Sequence, residues 1–156
     1  MIGTTASPNG GDPMGADSGP PRATGRCLCG AVAYELRGPL RDVVVCHCRQ
    51  CQRTHGGPAG YTRLARAGFV LTEDRGLDWF QSSDTARRGF CRECGASLFW
   101  EPAGAGEISV AAGTIDPPSG LTSIGHIFVA DKGDYYEIAD GLECLSGGLG
   151  SSPVSG

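Results

Sequence analysis

The stretch Asp42-Val43-Val44-Val45-Cys46-His47-Cys48-Arg49-Gln50-Cys51-Gln52-Arg53-Thr54-His55-Gly56-Gly57-Pro58 decides how this chain folds. It opens as a short strand, Asp42 to Cys46, and then places three cysteines within six residues. It continues into a helix candidate, Arg49 to His55, stopped by Gly56-Gly57-Pro58. Strand alternation puts Cys46 and Cys48 on one face and points His47 away from them, while Cys51 returns from the next turn. The three thiolates fill three positions of one zinc and leave the fourth to water or a substrate sulfur, which is an open site suited to chemistry. The alternative is closure of that site by His47, His55 or Cys144.

On either side lie four more clustered cysteines. Cys27-Leu28-Cys29-Gly30 begins a strand candidate, where residues two apart face the same way. Cys91-Arg92-Glu93-Cys94-Gly95 has zinc-knuckle spacing, in which a tight turn aims both sulfurs inward and Gly95 takes the backbone angle the turn needs. Two plus two makes a closed tetrahedral site, whose metal contributes folding energy and leaves no place for a substrate. Two zinc ions per chain follow. Disulfides are the competing use of the eight cysteines, but no export signal supports an oxidising compartment. Cys144 stands alone and reads as a bystander thiol.

The 156 residues have room for one domain. With 26 Gly, 10 Pro and only 19% charged residues, turns and strands are favoured over long surface helices. Strand candidates are Ala31 to Leu36, Asp42 to Cys46, Gly60 to Leu64, Gly68 to Leu71, Leu77 to Gln81, Ala86 to Phe90, Ser97 to Glu101, Glu107 to Ala111, His126 to Val129 and Tyr135 to Ile138. The fold class is therefore mainly β, a single domain over 24–146 with at most short helices. Residues 1–23 and 147–156, rich in Gly, Pro and Ser, are expected to be disordered tails. A net charge of -4 and a lone lysine, Lys132, argue against nucleic acid as a partner. No apolar run is long enough to span a bilayer, and Met1 to Pro21 lacks a basic start and an apolar centre, so a cytoplasmic location is expected.

The motifs resemble those of the glutathione-dependent formaldehyde-activating enzyme and centromere protein V family. The likeness runs from Gly25-Arg26-Cys27-Leu28-Cys29-Gly30 through Cys46 to Gly56 and Phe90-Cys91-Arg92-Glu93-Cys94-Gly95-Ala96-Ser97-Leu98-Phe99-Trp100. Ala112-Gly113-Thr114-Ile115-Asp116 and His126-Ile127-Phe128-Val129 extend it. The resemblance implies coiled antiparallel sheets, a structural zinc on Cys27, Cys29, Cys91 and Cys94, and a catalytic zinc on Cys46, Cys48 and Cys51. It also implies a carbon-sulfur lyase activity, the reversible joining of formaldehyde to glutathione as S-hydroxymethylglutathione.

Such a reaction needs a thiolate, and a free thiol with a pKa of ~8.5 is mostly protonated at neutral pH. Metal coordination removes that proton. His47 and His55 are candidates to shuttle it, with orienting or packing roles as the alternative. Arg49 and Arg53, four residues apart on the short helix, are candidates to hold the anionic co-substrate, with plain solvation as the alternative. Two noncatalytic readings compete with the enzyme: a zinc module that binds a protein partner, and a carrier that binds thiols without turnover.

Overall fold

The computed structural model describes residues 19–155. In chain order the elements are β1 (Ala23–Arg26), β2 (Ala33–Leu36), β3 (Arg41–Cys46), α1 (Arg49–His55), β4 (Ala59–Ala65), β5 (Phe69–Glu73), β6 (Leu77–Ser83), β7 (Ala86–Cys91), β8 (Ser97–Pro102), β9 (Glu107–Ala111), β10 (Ser123–Ile127) and β11 (Glu143–Cys144). Single 3₁₀ turns follow β4, β9 and β10. The fold is mainly β, with one seven-residue α-helix among the described residues.

Two sheets form. Strands β1, β2 and β5 make an antiparallel trio, and the other eight run in the order β11-β10-β3-β4-β9-β8-β7-β6. Pairing is antiparallel from β3 to β6, as the resemblance implied, but β10 joins β3 parallel and β11 joins β10 parallel. The long return over 112–122 after β9 brings β10 back in the direction of β3, which no hairpin can do.

Alternation along the large sheet gives it two different faces. Leu64, Ile108, Val110 and Phe99 point to one side and pack with Tyr34, Leu36 and Phe69 of the small sheet as the main core. At the centre Tyr34, Phe69 and Phe99 meet with ring centroids 4.9 to 5.8 Å apart. Gly89 opposes Phe99 across the β7–β8 pair, and a Cβ there would lie 2.7 Å from the Phe99 ring, so the position has no space for a side chain. Tyr61, Arg63, Ser109, Trp100 and Arg88 occupy the opposite face, which becomes the wall of a cavity.

Several expectations change at their edges. β1 is a separate strand, and the residues from Cys27 to Val32 form the turn of the β1–β2 hairpin, closed by the Cys27 N–H donating to the Val32 carbonyl at 2.9 Å. The strand expected over His126 to Val129 ends at Ile127, because Phe128 takes φ 57° and turns the chain off the sheet. Tyr135 to Ile138 is irregular and pairs with no strand. Its apolar look reflects Tyr136, whose hydroxyl bonds to His47 Nδ1 at 2.5 Å.

Residues 1–18 of the expected N-terminal tail lie outside the described residues, and 19–23 are attached to the fold: the Arg22 N–H donates to Leu36 and Arg37 Nη1 to the Gly19 carbonyl. The expected tail from 147 is likewise tied down over 147–154, where Phe128 donates to Gly147, Ser146 to Ser152 and Val154 to Cys144. Backbone hydrogen bonds supply what the apolar-poor composition lacks.

Candidate metal centres and the adjoining cavity

The sulfurs of Cys27, Cys29, Cys91 and Cys94 all lie within 4.8 Å of one another. Cys27 and Cys29 sit in the hairpin turn rather than in a strand, so turn geometry and not alternation makes them converge. Cys91 ends β7, and the tight turn after it is closed by the Gly95 N–H donating to the Cys91 carbonyl at 2.8 Å, with Gly95 at φ 75°. Measured edges are 3.6 Å for Cys27–Cys29 and 3.7 Å for Cys29–Cys91. A tetrahedron with Zn–S bonds of ~2.3 Å has edges of about 3.8 Å, so the four sulfurs fit one zinc and are far too separated for disulfides. The Ala96 backbone N–H, and after it that of Cys29, lower the Cys94 pKa to about 6. Desolvation and the neighbouring sulfurs of Cys27, Cys94 and Cys91 outweigh the Ala31 backbone hydrogen bond and push Cys29 up to about 12.

The second cluster is built within one turn of chain. Cys46 ends β3, Cys48 is the N-cap of α1 with its Sγ accepting from the Cys51 N–H at 3.4 Å, and Cys51 is the buried residue of that helix. The three sulfurs lie within 4.8 Å of one another, and no fourth His, Cys, Asp or Glu ligand atom among the described residues joins them. The Cys46 thiol donates to Cys51, which with Arg88 holds the Cys51 pKa at about 6 despite burial, while Cys46 is raised. Arg88 Nη2 is 3.9 Å from Cys51 Sγ.

Each candidate for closing this site is engaged elsewhere. His47 points away, as alternation required, and bonds to Tyr136 and, at 2.9 Å, to His126 Nδ1, whose Nε2 meets Asp140 at 2.9 Å. His55 Nε2 pairs with Tyr61 Oη at 2.8 Å, and burial followed by Arg88 lowers its pKa. Cys144 is buried in β11 with its thiol toward the Leu142 carbonyl.

The three-sulfur cluster opens onto a cavity of about 560 Å³. Arg49 stands at its mouth, whereas Arg53 is exposed and does not line it, because four residues along so short a helix carry Arg53 past the rim. Three further basic residues line it and were not foreseen: Arg41, Arg63 and Arg88. Arg88 had a legible signal, since in the run Ala86 to Phe90 the adjacent pair Arg87-Arg88 forces one arginine to the inner face. Arg87 faces out, stacked at 4.1 Å over the Trp79 ring. Gly148 and Leu149, in the segment expected to be disordered, also line the cavity.

Residues 22–131 match the family model of the glutathione-dependent formaldehyde-activating enzyme. The chain belongs to this family. The match takes in both cysteine clusters and every strand from β1 to β10. A relative from Schizosaccharomyces pombe, named as an uncharacterized lyase, is 25% identical over 121 residues, 77% of this chain and 88% of that one. The crystal structure of a Rhodobacter sphaeroides protein superposes with a TM-score of 0.52 at 27% identity, covering 66% of this chain and 98% of that chain. Tyr136, Asp140, Gly148 and Leu149 lie beyond the part matched to the formaldehyde-activating family.

Proposed function

We propose that this family member is a zinc-dependent carbon-sulfur lyase-type enzyme acting on a small thiol adduct, such as S-hydroxymethylglutathione formed reversibly from glutathione and formaldehyde. The observation that supports it is the three-sulfur cluster of Cys46, Cys48 and Cys51, with no fourth protein ligand among the described residues, facing a cavity lined by arginines. Cys27, Cys29, Cys91 and Cys94 would hold a structural zinc, and Cys46, Cys48 and Cys51 would hold the catalytic one. When bound there, zinc supplies a Lewis acid that favours the thiolate form of an incoming thiol.

In the forward direction the substrate sulfur attacks the aldehyde carbon, a C–S bond forms, the C=O π pair moves to oxygen, and the thiol proton ends on that oxygen. The reverse breaks the C–S bond and returns the proton. Arg88, beside Cys51, offsets the negative charge gathered by the cysteines. Tyr61 lines the cavity and shares a hydrogen bond with His55 Nε2, so the proton is held at Tyr61 Oη with His55 as its partner. His47 takes no part, being turned toward Tyr136 and His126. Apolar walls at Val44, Trp100, Ile127 and Phe128 keep water from the adduct.

The test is turnover of glutathione and formaldehyde by the zinc-loaded chain, with Tyr61→Phe as the informative variant. Turnover in the wild type with kcat reduced roughly tenfold or more in Tyr61→Phe is expected. Tight thiol binding without turnover would make the protein a carrier.

A further inference from the structure

Arg41, Arg63, Ser109, Trp100 and Arg88 stand directly opposite one another across β3, β4, β9, β8 and β7. Directly opposed residues share a sheet face, so the five form one continuous row, and all five line the cavity. The row is charged in a way the fold alone does not explain. Arg41 and Arg63 are like charges side by side, a destabilising arrangement, and Glu107 bridges Arg63 at 3.1 Å. Arg41 donates from Nη2 to the Tyr61 carbonyl at 2.7 Å, and its buried Nε has no acceptor.

At the other end Arg88 is only 8% exposed. It donates from Nη2 to Gln50 Oε1 at 3.2 Å, while Nε and Nη1 are buried without an acceptor. Neither Arg41 nor Arg88 makes an ion pair with a carboxylate among the described residues. Burying guanidinium groups with some of their donors unpaired and no counter-charge is costly, and an anionic ligand would offset that cost.

We propose that this row is a carboxylate-recognition strip, which takes an elongated thiol compound with its sulfur toward Cys46, Cys48 and Cys51 and its distal carboxylate on Arg41 and Arg63. Arg88 lies beside Cys51 and so serves the sulfur end. Arg41 lies five positions before Cys46 on β3, about 16 Å of extended chain, and its Nη2 reaches back to the Tyr61 carbonyl opposite Val44, so the ligand spans less than that length. Trp100, between the arginines, offers an apolar surface to the middle of the ligand, and Arg41 is the specificity-determining residue. Neutral thiols of the same size are rejected because they leave the buried donors unpaired.

The inference rests on reading the three-cysteine end as the reacting end, and the experiment separates the two. The full chain is titrated, by tryptophan fluorescence, with S-methylglutathione, whose sulfur is blocked, and with its dimethyl ester. The wild type is expected to bind the acid roughly tenfold or more tighter than the ester, Arg41→Gln to bind both alike, and Arg41→Lys to keep most of the preference. Equal binding of acid and ester by the wild type, or an undiminished preference in Arg41→Gln, overturns the strip. If Arg41→Gln does not fold, the wild-type ratio and its fall with added salt decide the matter, and a ratio of one at low salt refutes the inference. A chain that prefers the acid but has no turnover keeps the strip and loses the reaction. Turnover without acid preference does the reverse.

Discussion

The two cysteine clusters hold similar sulfur geometries by opposite means. One joins turns far apart in the chain, Cys29 and Cys91 being 62 positions apart, and the other is gathered from the end of β3 and the first turn of α1. Closing a loop of that length in the unfolded chain costs about 4 kcal/mol of entropy, against about 2 kcal/mol for the span from Cys46 to Cys51, so metal at the first cluster constrains the chain far more. The difference also decides which site is open. A distant strand end contributes two sulfurs to the first cluster and completes four, whereas the neighbours of the second, His47 and His55, are already bound to tyrosines. On the function proposed above, topology would give stability to the first cluster and chemistry to the second.

The largest effect expected is from Cys91→Ser. Its sulfur, at the end of β7 against the hairpin turn, is wholly buried, and its loss would remove a ligand of the proposed structural zinc and with it the constraint. The variant should be unfolded or melt many degrees lower by circular dichroism, and an unchanged melting temperature with the metal lost would erase the contrast between the clusters. Cys48→Ser should behave differently. The sheets and their core do not depend on it, so the melting temperature should shift by only a few degrees while thiol-ligand binding and turnover disappear. Wild-type turnover in this variant would show the open cluster is not the reacting one.

These contrasts were partly legible in the sequence. Every cysteine that clusters was identifiable from spacing, and the helix Arg49–His55 was bounded by its own stop residues, because ligands and caps are local signals. Cys27, Cys29 and Cys48 converge through turns and a helix cap, however, rather than through the strand alternation expected. The arginine row was not legible. Its members come from strands β3, β4 and β7, and only sheet register places Arg41 opposite Arg63 and Arg88 opposite Trp100. The parallel pairing of β10 with β3 was hidden for the same reason, as was the cavity wall at Gly148 and Leu149, whose composition reads as tail.

A smaller effect is expected from Arg88→Met. With two buried nitrogens lacking acceptors, the guanidinium contributes little to folding, so the melting temperature should stay within a few degrees while kcat/KM falls roughly tenfold to a hundredfold. A collapse in stability with unchanged kinetics would make Arg88 a structural residue. The smallest effect belongs to His126→Phe. The chain from Tyr136 through His47 and His126 to Asp140 runs on the side away from the sulfurs, so kcat/KM should change less than about threefold. A loss as large as that of Tyr61→Phe would move the proton path to His47.

The division into a closed four-sulfur site and an open three-sulfur site is tested most directly by metal counting. Elemental analysis of the purified wild type, Cys48→Ser and Cys91→Ser should give about two zinc ions per chain, about one, and less than one. A single zinc in the wild type, or loss of both ions in a folded Cys48→Ser protein, would contradict the account.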